Sequence, residues 1–169
     1  QVEDFKQSLQ KMWEHPSIKI GSLNELKQIG HTSSSQRPDI EFINSFTISS
    51  SALVTAINKS LFAVSNDDLR PAMTGVFFEL DKKGLTCVAT DAHRLVRYRR
   101  TDVSCPKTDT FIAPKKPLNL LKAALPDNDD ELTVSYNSNH LFVKHGGTEL
   151  VCRLIDARFP DYKVVIPLD

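Results

Sequence analysis

The chain has 169 residues, 40% of them hydrophobic and 25% charged, which is ordinary globular material with room for one good core and an appendage. Lys plus Arg and Asp plus Glu both number 21, so no net field draws the chain to nucleic acid or membrane, and any such binding must come from local segregation of charge. Cys87, Cys105 and Cys152 are odd in number and lack a CxxC spacing, which argues against a disulfide framework and a structural zinc site and fits a reducing cytoplasm. No apolar run approaches the roughly 18 residues of a membrane span. The first residues, QVEDFKQ, resemble neither a signal peptide nor a start, so the chain reads as a piece of something longer.

In residues 1–42, Val2, Phe5, Leu9, Met12 and Trp13 form a helical apolar stripe, more naturally core packing than a ligand site, and SIKI forms a short strand. The polar run GHTSSSQRPD then reads as a linker, which places a domain boundary near residues 39–44: residues 1–42 are a remnant of a preceding domain or a linker, and residues 43–169 are one domain. From Phe46 the pattern sharpens. FTI is a strand, Ser49 to Ser51 supply an N-cap, and Leu53, Ile57, Leu61 and Val64 recur at helical spacing until Asn66. MTGVFFEL, LTCVAT and RLVRYR follow as three strands, with Gly84 placed for a tight hairpin.

The second half repeats this order at an offset of roughly 64 residues. TFIA is the strand, Pro114 stands at a helix start, Leu118, Leu121 and Leu125 form an apolar face, and ELTVSY, HLFVKH and TELVCRLI are three strands joined by NSN and GG turns. The domain is therefore α+β, two βαβββ units with both helices on one face of antiparallel sheets. His140 and His145 flank one strand and read as exposed edge residues, and Arg158 with Asp161 reads as a pin for the turn after the last strand.

Two features carry function. The corner Thr90-Asp91-Ala92-His93-Arg94 is fixed between two β-rich runs, which is how binding surfaces are commonly built; Asp91 there reads as an acceptor bracing backbone amides. The two helices carry no carboxylate between Ser49 and Ser65 or between Pro114 and Pro126, yet they carry Lys59, Lys115, Lys116 and Lys122 with Asn58 and Asn119. That surface suits phosphates without reading bases, and its bland alternative is a solvated face. A hydrolase set of Asp91 and His93 with Cys87 or Ser65 is the enzyme alternative. It lacks any GxSxG elbow, HExxH or glycine-rich phosphate loop.

RPAMTGVFFEL, VATDAHRL and RLIDARFPDYKVVIP, in this order and at these separations, resemble the middle domain of the bacterial sliding clamp, the β subunit of DNA polymerase III. The resemblance covers about Ser45 to Leu168. It implies a DNA-clamp fold in a ring-shaped homodimer, with helices lining a central hole around duplex DNA and no catalytic activity, cofactor or metal. It also implies that Lys59, Lys115, Lys116 and Lys122 face DNA, without sequence preference. The family's peptide cleft maps onto Met73, Thr90, Ala92, His93, Arg94, Leu95, Ile166 and Pro167, which would take an apolar anchor from short motifs of polymerase and clamp-loader subunits, the other half of the cleft lying in a third domain. Ala92 stands where the family has glycine and Met73 where it has leucine. The remaining alternative is a stand-alone interaction module derived from a clamp domain.

Overall fold

The computed structural model describes residues 18–22 and 41–167, so the apolar stripe from Val2 to Trp13 lies outside the described residues. In chain order the elements are β1 (Ile18–Ser22), β2 (Asn44–Ser49), α1 (Ser50–Leu61), a 3₁₀ turn (Pro71–Met73), β3 (Gly75–Asp81), β4 (Gly84–Thr90) and β5 (Leu95–Arg100). Then come β6 (Asp109–Pro114), α2 (Lys115–Ala124), β7 (Glu131–Tyr136), β8 (His140–His145), β9 (Thr148–Arg153) and a second 3₁₀ turn (Tyr162–Val165). The two βαβββ units are thus β2 to β5 with α1, and β6 to β9 with α2.

The units exchange their first strands. One sheet runs β5-β4-β3-β6 and the other β1-β9-β8-β7-β2, so β6 closes the first unit's sheet by pairing Phe77 with Ile112, and β2 closes the second's by pairing Phe46 with Val134. Neither unit can complete its sheet alone, and the duplication folds as one body. Ile18–Ser22, upstream of the expected boundary, extends the second sheet along β9, with Ile20 opposite Leu150.

One core lies between the helices and the inner faces of both sheets. Leu53, Ala56 and Ile57 of α1 and Leu118 and Leu121 of α2 pack there with Phe78, Leu80, Cys87, Val134, Leu141, Val143 and Leu150. A second, smaller cluster covers the outer face of the first sheet, where Phe159 and Tyr162 lie over Val88 and Ile112, and Phe77 stacks on Phe159 at 4.7 Å. Every residue of β4 is therefore buried, because its strand is central and covered on both faces. The hairpin before it requires its glycine: a Cβ on Gly84, at φ +148°, would collide with the Arg100 carbonyl oxygen.

Several local readings shift. Helix α1 stops at Leu61, and Val64 is buried beyond the helix rather than on its stripe, because the chain turns there so that the Ser65 amide can donate to the Met73 carbonyl, 2.9 Å. Pro114 ends β6 and is the N-cap of α2, one position earlier than a first helical residue. Strand β9 ends at Arg153, before the Leu154-Ile155 pair. His140 and His145 are half-buried on a strand interior to its sheet, not on an edge, and His145 Nε2 sits 3.4 Å from Asp130. Arg158 and Asp161 form no ion pair among the described residues; Asp161 instead accepts from the Lys163 amide, 3.2 Å, at the start of the second 3₁₀ turn.

Candidate functional site: a braced corner and a basic helix pair

The corner between β4 and β5 is braced from inside. Thr90 and Leu95 are opposite one another in the ladder. The Thr90 hydroxyl donates to the Arg94 carbonyl, 2.8 Å, and accepts from the Ala92 amide, 3.1 Å. Asp91 Oδ1 accepts from the amides of His93, 3.1 Å, and Arg94, 3.0 Å, and its Oδ2 accepts from Arg94 Nε, 2.9 Å. The expected bracing role of Asp91 is borne out. These donors, the Arg94 amide first and the His93 amide next, hold the Asp91 carboxyl down at about 2 against an ordinary 3.8. Inside this frame Ala92 adopts φ +75°, the only non-glycine among the described residues with a positive φ.

Three separate segments converge behind the corner. Leu95 from β5, Ala72 from the first 3₁₀ turn and Ile166 from after the second all pack against the outer cluster of Val88, Ile112, Phe159 and Tyr162. Of the remaining expected cleft residues, Met73 adjoins Ala72 and is half-buried, Thr90 pairs with Leu95, and Pro167 adjoins Ile166 and is exposed. His93 and Arg94 are exposed beside them, with the Arg94 guanidinium committed to Asp91.

What holds Ile166 in place has no short-range signature in the sequence. Glu79 on β3 accepts from Tyr162 Oη, 2.6 Å, and Lys163 Nζ, 2.9 Å, pinning the final segment across the outer face of the sheet. Partial burial pushes the Glu79 carboxyl up, but the Tyr162 and Lys163 hydrogen bonds outweigh it and the net direction is down. Burial first, then Glu79, pushes the Tyr162 hydroxyl up to about 12. The spacing of 83 residues between Glu79 and Tyr162 is invisible to any periodicity argument.

The hydrolase set is not assembled. Both Asp91 oxygens are engaged within the corner. The Ser65 hydroxyl is buried and accepts from the Asp67 amide, 3.0 Å, and burial raises the Cys87 thiol far above the range of a usable thiolate.

The helices lie against one another, each N-terminus held by the other unit. The amides of Ser50 and Ser51 donate to the carbonyls of Asp130, 2.8 Å, and Asn128, 2.7 Å, and the Ser50 hydroxyl donates to the Pro126 carbonyl. Reciprocally, the Lys115 amide donates to the Thr74 carbonyl, 3.3 Å, and Lys115 Nζ to Asn66 Oδ1, 2.8 Å. Lys59 and Lys116 are exposed and Lys115 and Lys122 half-buried. None of the four pairs with a carboxylate among the described residues, whereas Lys107, Lys144 and Lys163, all off the helices, do.

Residues 47–161 match the family model described as the DNA polymerase III beta subunit, central domain. The chain belongs to the DNA polymerase III beta subunit family. It is 31% identical over 133 residues to the beta sliding clamp of Bacillus subtilis, covering 78% of this chain and 35% of that one, and 30% identical over 132 residues to that of Staphylococcus aureus, covering 77% and 34%. Among solved structures, the beta subunit from Thermotoga maritima superposes with a TM-score of 0.71 at 29% identity, covering 80% of this chain and 38% of that one. The Bacillus subtilis sliding clamp superposes with 0.72 at 27%, covering 83% and 37%. The chain thus spans about a third of the length of the beta subunits it matches, and it shares the α+β fold of two antiparallel sheets and two helices with them.

Proposed function

We propose that this chain acts as the middle domain of a sliding clamp, a non-catalytic processivity factor that, as a homodimeric ring, encircles duplex DNA and tethers replicative polymerase and clamp-loader subunits. Family membership supports the reading. The observation within this molecule that supports it is that Ala72, Leu95 and Ile166, from three separate segments, pack on one apolar cluster while His93 and Arg94 stand exposed on the hydrogen-bonded corner next to Leu95; we read the surface between them as an apolar hollow with polar groups at its rim. Such a hollow takes a leucine or phenylalanine anchor, while His93 and the Arg94 donors not bonded to Asp91 orient a neighbouring glutamine and Thr90, buried and bonded within the corner, holds that lip in place. The lysines on α1 and α2, none of which pairs with a carboxylate among the described residues, supply a weak, sequence-blind attraction to phosphates. These are roles for cytoplasmic replication machinery.

The test is a titration of a glutamine-leucine-phenylalanine type peptide into wild type and Met73→Asp, with thermal melts as a folding control. The half-buried Met73 side chain is replaced by a carboxylate that an incoming leucine would desolvate without offering a hydrogen bond. This chain alone is expected to bind at micromolar affinity or weaker, on the order of 8 kcal/mol or less, and the variant at least tenfold more weakly still. Equal affinity in two equally folded proteins means the peptide does not use this hollow.

A further inference from the structure

The Ala92 backbone sits at φ +75°, a conformation that glycine adopts freely and alanine resists, because its Cβ crowds the following carbonyl. The resistance is not offset inside the molecule. Ala92 is exposed and belongs to neither apolar cluster, so its methyl buries nothing in return. The conformation is imposed by its neighbours: Thr90 binds the Ala92 amide, and Asp91 binds the next two amides. The corner would close equally well around a glycine. What alanine adds is a methyl group rigidly presented to solvent, three residues from Leu95 and the cleft proposed above, at a place where strained backbone commonly serves recognition.

We infer that Ala92 is a specificity-determining residue of the peptide cleft, its fixed methyl favouring partner motifs that place a small residue against the corner over those that place a bulky one there. This rests on the cleft reading above. A rigid methyl at a rim excludes a partner side chain by steric overlap, and one methyl-sized difference in a packed contact changes affinity by roughly tenfold or more.

The experiment measures affinity of four peptides, acetyl-Gln-X-Leu-Phe with X as Gly, Ala, Val or Phe, for the whole chain as wild type, Ala92→Gly and Ala92→Asn. Wild type is expected to prefer Gly and Ala over Val and Phe by about tenfold. Ala92→Gly removes the methyl and should level that preference to within about twofold, while its melting temperature rises by about 2–4 °C through relief of strain. Asparagine tolerates the left-handed region yet keeps a side chain, so Ala92→Asn should retain the preference, which separates bulk from strain. A raised melting temperature with the preference unchanged in Ala92→Gly overturns the role of Ala92 and leaves the cleft standing. Absence of binding of every peptide to wild type overturns the cleft reading, and the inference with it.

Discussion

At the scale of single residues, the corner shows how a short polar sequence becomes rigid. Five hydrogen bonds from Thr90 and Asp91 side chains converge on three successive amides, one carbonyl and one guanidinium, and together they outweigh the roughly 1–2 kcal/mol that a left-handed alanine costs. The same bonds set a pH dependence. Because the folded Asp91 carboxyl is depressed from 3.8 to about 2, its bracing is fully present above about pH 4 and is lost as pH falls through about 2. Carbon-detected NMR of the Asp91 carboxyl should therefore show a midpoint near 2, with the His93 and Arg94 amide resonances moving in the same step. A midpoint at 3.8 would mean the corner is open in solution.

At the scale of elements, the reciprocal helix caps join the two units. An exposed helix N-terminus satisfies its orphan amides with its own N-cap and water, and Ser49 does accept from the Ala52 amide, 3.3 Å. Here the carbonyls of the Pro126 to Asp130 loop supply the rest from the other unit. Ser50, fully buried, is the most sensitive point: Ser50→Ala leaves the Pro126 carbonyl without its hydroxyl donor and should lower stability by about 1–3 kcal/mol. Ser51, half-buried with its hydroxyl on Asp129, 2.8 Å, should matter less. Chemical denaturation of both alanine variants checks the ranking, and a larger effect at Ser51 would contradict it.

At the scale of the whole molecule, balanced net charge conceals two differently charged surfaces. The helices present lysines without carboxylates, while acids gather in the loops at their ends, Asp67 and Asp68 after α1 and Asp127, Asp129 and Asp130 after α2. Replacing Lys59, Lys115, Lys116 and Lys122 together by Glu in the full-length protein is expected to weaken retention on DNA and to flatten its salt dependence. The log–log slope should fall by about 0.9 for each phosphate that is no longer neutralised. Folding should persist, since none of these lysines is held in an internal ion pair among the described residues and Lys115 gives up only its side-chain bond to Asn66, its amide still donating to the Thr74 carbonyl. An unchanged slope would return them to an ordinary solvated face.

The sequence by itself determined the elements and much of which faces are buried, because a period of 2 or 3.6 is a local record of burial: Leu118 and Leu121 point inward from α2, as read, and the alternation in HLFVKH puts Leu141 and Val143 in the same core. It also marked Thr90 to Arg94 as a corner and Asp91 as its brace. Tertiary structure alone decided which strand edges meet. Edge pairing is made by backbone groups that every residue type carries, so nothing in TFIA or FTI announces that each joins the other unit's sheet, nor that HLFVKH lies inside its sheet with His140 and His145 off the edge. For the same reason the proposed cleft was legible only in part. Leu95 and the corner are local, whereas the place of Ile166 depends on Glu79 meeting Tyr162 across 83 residues, a contact that exists only once the outer face of the first sheet has formed.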